Sequence, residues 1–136
     1  MNDLIVLYDG DCGFCRVTLA ALLTWDRANR LSPVSIQSER GEELLADLRR
    51  QDRLRSWHLI DAHGVRHSGG AGVPVVFDAL PWGTALARLA SRSPTMTSRA
   101  YDCVANHRAL LGRPLNARTR AWAARVITGR AATTRS

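Results

Sequence analysis

The segment Leu4-Ile5-Val6-Leu7-Tyr8-Asp9-Gly10-Asp11-Cys12-Gly13-Phe14-Cys15 constrains this chain more than any other. Five apolar residues, mostly β-formers, stop at three turn residues, which reads as a buried strand. From Cys12 the period changes. Cys15, Leu19, Leu22 and Leu23 share one helical face, so a helix runs to about Trp25. A cysteine pair at a strand-to-helix junction suits dithiol–disulfide exchange. The attacking sulfur must be a thiolate, and the first turn of a helix offers free N–H groups and a positive dipole end. Cys12 would occupy that end. Cys15, one turn in, could reach back to close a small disulfide. Arg16, four residues after Cys12 on the same face, adds a supporting charge. Asp9 and Asp11 oppose it by like-charge repulsion. Cys12 should be the more exposed and reactive thiol, because Cys15 points along the apolar face.

Further strands and helices follow in order. Residues 31–37 read as a second strand, with Pro33 favouring an edge or a strand start. Ser38 is placed to cap a helix whose first turns carry Glu39, Glu42 and Glu43. Leu44, Leu45 and Leu48 give that helix its apolar stripe. Residues 57–61 and 65–68 flank Ala62-His63-Gly64, the pattern of a β-hairpin. Gly69-Gly70-Ala71-Gly72 reads as a flexible break, and Pro74 then suits the first turn of a helix to Leu80. Helical stretches are expected over 84–90, 98–111 and 117–128. The order β-α-β-α-β-β-α, then helices, implies an α/β core over 1–83. A helical C-terminal extension over 84–129 packs on the same domain, and a disordered tail covers 130–136.

Composition narrows the function classes. A chain of 136 residues, 46% apolar and 23% charged, fills one ordinary domain without a disulfide scaffold. Its apolar stretches are too short or too glycine-rich to span a membrane. Met1-Asn2-Asp3 is acidic where a signal peptide would be basic, so the expected compartment is the cytoplasm. The net charge of +7 comes from arginine alone, with no lysine. It is also lopsided. Residues 1–68 are nearly neutral, and residues 69–136 carry 10 Arg against Asp78 and Asp102. A basic second half could meet an acidic partner or an anionic surface. A uniformly arginine-based charge is a weak nucleic-acid signal.

A C-x-x-C can also be half of a zinc site, and His63 and His67 formally complete a Cys2His2 set. They fall in a hairpin far from the cysteines, and no second C-x-x-C exists, so the redox reading is preferred.

With Asp9, Cys12 and Cys15 filling D-x-x-C-x-x-C, the sequence resembles the DCC family of thiol-disulfide oxidoreductases, named for that signature. The similarity continues through Ile36-Gln37-Ser38-Glu39, the hairpin from Trp57, Leu80-Pro81-Trp82-Gly83 and Tyr101-Asp102-Cys103-Val104-Ala105-Asn106-His107-Arg108. It covers roughly residues 3–113. The resemblance implies a thioredoxin-like fold and exchange between the Cys12–Cys15 pair and a protein or small-thiol substrate. A thiol reductant system would be the second partner, and no cofactor or metal is required. Asp9 joins the cysteines as a candidate catalytic residue, either moving a proton to or from Cys15 or making the turn and cap. Thioredoxin-like folds usually face the cysteine pair with a cis-proline. Val73-Pro74 is the only comparable dipeptide, and residues 75–77 are read as helix.

Other residues have plainer readings. Cys103 is expected as a buried free thiol. Phe14 could cover the cysteine pair. Trp25, Trp57, Trp82 and Trp122 are expected in or beside the core. His58 is expected to face solvent. His107, Arg108, Arg113, Arg118 and Arg120 read as a solvated basic face. The competing function is a non-catalytic module that docks an acidic partner or nucleic acid through that basic half.

Overall fold

The computed structural model describes residues 4–135, so Met1-Asn2-Asp3 and Ser136 lie outside the described residues. Strand β1 (Leu4–Tyr8) is the second of four, in the order β2-β1-β3-β4. The crossover helix α1 (Gly13–Trp25) leads to β2 (Leu31–Ser35), which runs parallel to β1. On the other side β3 (His58–Ile60) pairs antiparallel with β1 and with β4 (Arg66–Ser68). In this register Val6 lies between Pro33 and Leu59. Pro33 is tolerated because β2 is an edge strand, where a missing N–H leaves no ladder bond unmade.

The continuous apolar run of β1 follows from burial on both faces. Leu4 and Val6 pack with Leu19 and Leu23 of α1, with Leu59 and with Val76. Leu7 points the other way, onto Val34, Ile36 and Leu45. Ser38 caps α2 (Glu39–Leu44) by accepting from the Gly41 N–H at 3.1 Å. The short helix α3 (Arg50–Arg53) follows, an element the leucine stripe did not announce. Val75 to Phe77 lie in α4 (Gly72–Ala79), so the helix reading of that stretch holds. Then come α5 (Thr84–Arg92), α6 (Pro94–Asn106), α7 (Arg108–Gly112) and α8 (Ala117–Arg135). The four-stranded sheet, its flanking helices and the helical C-terminal part form the thioredoxin-like arrangement implied by the sequence.

Several local expectations are corrected. The glycine stretch is not a loose break. Residues Gly69–Ala71 form a 3-10 turn, and a side chain at Gly70 would strike the Ser98 backbone of α6. The helix expected over 98–111 begins at Pro94 and divides at His107, whose backbone leaves the helical region. The tail expected to be disordered from 130 continues α8 to Arg135. Arg130 anchors it: its guanidinium reaches the Asp26 carboxylate at 2.6 Å and the Leu23 carbonyl at 2.9 Å. Asp26 is fully buried. It also accepts from the Leu31 and Arg30 N–H groups, so one carboxylate ties the end of α1, the start of β2 and α8 together.

His58, expected to face solvent, is only 2% exposed. Its Nε2–H donates to the Arg53 carbonyl at 2.9 Å, and its Nδ1 accepts from the Ser68 hydroxyl at 2.7 Å. Trp82, expected near the core, is 92% exposed with a left-handed backbone (φ 66°). Trp25 and Trp57 do border the core. Cys103, expected to be buried, is an exposed free thiol, because α6 has no buried residue to share a face with it. Among the described residues, no helix is long and apolar enough to cross a membrane.

Candidate active site

The end of β1 turns sharply into α1. The Cys12 N–H donates to the Asp9 carbonyl, and the Asp11 N–H to Asp9 Oδ1 at 3.0 Å. Gln37, just past β2, locks the turn from the neighbouring strand's end. Its Nε2 donates to Asp9 Oδ1 at 2.7 Å, and its Oε1 accepts from the Gly10 N–H at 2.9 Å. A side chain at Gly10 would come within 2.7 Å of Ser35 Oγ, so only glycine lets the turn lie this close to β2.

Cys12 is the N-cap of α1, where the first-turn N–H groups lack carbonyl partners within the helix. The Cys15 N–H donates to Cys12 Sγ at 3.3 Å. Both motif cysteines are free thiols and half-buried, and they belong to one helix terminus, as the spacing predicts. Burial pushes the Cys15 thiol up to about 12. Its hydrogen bond to Cys12 and the Cys12 charge contribute to that rise, while Arg108 opposes it. Cys15 is therefore a protonated donor toward Cys12 across the neutral range.

Arg108 is the residue that the sequence reading misplaced. Instead of lying on a solvated face, it is half-buried at the first position of α7. Its Nη1 approaches Cys15 Sγ at 3.7 Å, and its Nη2 donates to the Leu54 carbonyl at 2.8 Å and lies 3.5 Å from Asp9 Oδ2. Arg16, expected to supply the supporting charge, acts on Tyr8, where its charge opposes the rise that burial causes. Arg108 takes that place from the far end of the chain. The break at His107 puts it there. His107 closes α6 with its Nδ1 donating to the Cys103 carbonyl at 2.7 Å, and α7 sets off in a new direction. The signal was present in the sequence: Arg108 closes a block that resembles the DCC family.

Two aromatics complete the wall. Trp57 and Tyr101 stack with ring centroids 5.6 Å apart, and the Trp57 N–H donates to the Tyr101 hydroxyl at 2.9 Å. Burial raises Tyr101 to about 12, so its hydroxyl stays protonated. Phe14 packs under Gly112 at the end of α7. Cys15, Asp9, Arg108, Phe14 and Tyr101 all border a cavity of about 920 Å³.

The zinc alternative finds no ligand set. His67 is taken by Asp61 at 3.0 Å, and no three metal-ligating side chains converge among the described residues. The arrangement suits nucleophilic sulfur chemistry: one sulfur that receives donors, a second that holds a proton beside it, and a guanidinium next to the second. A family model described as DCC1-like thiol-disulfide oxidoreductase matches residues 6–114. No curated protein and no solved structure matches the chain.

Proposed function

The chain belongs to the DCC1-like thiol-disulfide oxidoreductase family, and from that premise we propose that Cys12 and Cys15 are its exchanging pair, with Asp9 and Arg108 in the site. Cys12, as a thiolate, attacks one sulfur of a substrate disulfide. The Cys12–substrate bond forms, the substrate's S–S bond breaks, and the departing thiolate takes a proton from water. Cys15 then loses its proton and attacks Cys12 Sγ. The Cys12–Cys15 disulfide forms, the second substrate thiolate leaves, and the proton follows it. The dithiol is oxidised by two electrons and the substrate disulfide reduced by two. A thiol reductant restores the pair, and the same steps run in reverse when the substrate is a dithiol.

The observation that carries this reading is the asymmetry at the helix terminus. Cys12 Sγ accepts from Cys15, and Cys15 holds its proton up to about 12. Part of that rise comes through Cys12, by its hydrogen bond and its charge. Once Cys12 is in a mixed disulfide, its negative charge is lost and its sulfur becomes a much weaker acceptor. The contributions that raise Cys15 through Cys12 fall away, so that burial alone still raises it and Arg108 still lowers it. The second thiol is thus activated by completion of the first step.

Asp9 enters as the carboxylate facing Arg108, with its other oxygen committed to the turn. It is a proton relay or, through Arg108, a positioning residue. The exposed free thiol of Cys103 fits a reducing compartment, which supports placing the protein in the cytoplasm. We also read residues 84–129 as part of the same folding unit as the sheet, because Ile127 of α8 joins the core of Val6 and Leu23.

The test is a redox titration against a small dithiol/disulfide buffer, followed by mass spectrometry. The expected result is a two-electron transition with loss of two hydrogens, abolished in both Cys12→Ser and Cys15→Ser and kept in Cys103→Ser. A transition that needs Cys103 would overturn the assignment.

A further inference from the structure

The cavity beside Cys15 is larger than the exchange chemistry needs, and its lining is mostly apolar. Its floor is the core itself: Val6 of β1, Leu19 of α1 and Val76 of α4, none more than 3% exposed. Its outer wall is α5 and α6. There Leu89 and Met96 are each 65% exposed, although both face the cavity. Apolar side chains left open in this way around a deep pocket mark a ligand site. A volume of about 920 Å³ lies within the range of small-molecule pockets. Asp9, Arg108 and the Cys15 sulfur meet at one end, and Arg92, Ser93 and Thr97 border the side made by α5 and α6.

Building on the exchange reading above, we propose that this cavity binds a low-molecular-weight disulfide or thiol with an extended apolar body. The hydrocarbon or aromatic part lies between α4, α5 and α6, and the sulfur end lies at Cys15, whose backbone N–H holds Cys12 Sγ at 3.3 Å. The depth of the pocket favours this occupant over a folded protein or a second copy of the chain. A flat partner could cover Leu89 and Met96 at the rim but not reach the half-buried Phe77 and Cys15 inside. The exchange is the one already balanced: R–S–S–R′ accepts two electrons from the dithiol, leaving the Cys12–Cys15 disulfide and two thiols. Binding the body pre-orders the sulfur beside the cysteines, which turns an encounter between two molecules into a step within one complex.

The experiment compares two probes on the reduced full-length protein: phenylbutyl hydroxyethyl disulfide and bis(hydroxyethyl) disulfide. Single-turnover oxidation is followed by mass spectrometry of the Cys12–Cys15 disulfide, and each rate is divided by that of dithiothreitol with the same probe. The expected result is a normalised preference of about tenfold or more for the phenylbutyl probe, from burial of several methylene groups. The preference should saturate with probe concentration. It should fall toward one both in Ala90→Trp, which fills the cavity, and in Leu89→Glu, which charges its exposed rim. Since Ala90 is half-buried, Leu89→Glu keeps the test valid if Ala90→Trp does not fold. A normalised ratio near one in the wild type, with the disulfide still forming, overturns the cavity assignment and leaves the exchange reading standing. No disulfide with either probe overturns both. A ratio near one together with concentration-dependent dimerisation that Leu89→Glu abolishes assigns the rim to a second copy and also overturns the inference.

Discussion

At the scale of single residues, Arg108 and Asp9 separate chemistry from architecture. Arg108 is the lowering influence on Cys15 that survives formation of the mixed disulfide. Removing an adjacent opposite charge moves a pKa by roughly one unit or more. Arg108→Gln should therefore hold Cys15 protonated to higher pH. Resolution of the mixed disulfide at neutral pH should slow about tenfold, and its pH–rate profile should shift to the alkaline side. The first step, attack by Cys12, should change less. Stopped-flow release of a chromophoric thiol measures both. Asp9→Asn keeps the side chain's capacity to accept the turn bonds, so stability should be near normal. If Asp9 moves a proton, resolution slows and its pH profile loses one limb. If it only positions Arg108, the profile shifts alkaline as in Arg108→Gln. The cysteines and Asp9 were legible because a local pattern carries them: strand, turn and helix are contiguous. Arg108 was not, because a half-buried guanidinium and a solvated one look alike in sequence. Only the chain path decides which of the ten arginines after residue 68 reaches the sulfur. Cys103 and His58 failed for the complementary reason. Their neighbours along the chain gave a face, but the packing partner that buries or exposes that face lies elsewhere.

At the scale of elements, the end of α1 shows how much one buried carboxylate holds. Asp26 accepts from the Leu31 and Arg30 N–H groups and from Arg130, and is itself fully buried. Truncating one partner of such a pair leaves an uncompensated charge and unmet N–H groups, a loss of about 3–5 kcal/mol. Asp26→Ala should lower the stability of the whole molecule by that amount, read from the midpoint and slope of urea unfolding. Replacing both partners together should be less damaging than the sum of the two single changes. Element identities were mostly readable here, because period, caps and glycine turns agree: Ser38, Pro33 and the 57–68 hairpin each behaved as their chemistry predicts. Element boundaries were less so. The break at His107 has no proline or glycine to announce it, and α8 runs past its expected end because Arg130, polar in sequence, is tied inward to Asp26.

At the scale of the whole molecule, the sheet and α1 set the cysteine pair, and the helical C-terminal half closes round it. Arg108 comes from α7, the Tyr101 wall from α6 and the anchor of α1 from α8. The basic half that looked like a docking surface thus has part of its charge turned inward onto the site. A chain ending after residue 116 loses Ile127 from the main core and Arg130 from Asp26. It should fail to give a cooperative unfolding transition by circular dichroism. The central claim is that Cys12 attacks and Cys15 resolves. It is tested most directly by mass spectrometry of single-cysteine variants mixed with one small aromatic disulfide at neutral pH, in a Cys103→Ser background. Cys15→Ser should accumulate a stable one-to-one adduct on Cys12. Cys12→Ser should be modified much more slowly, because burial, the largest influence raising Cys15, remains when the Cys12 charge is gone, and the protein with both cysteines should pass through the adduct to the internal disulfide. A stable adduct on Cys15 in Cys12→Ser, formed as fast as that on Cys12, would contradict the account.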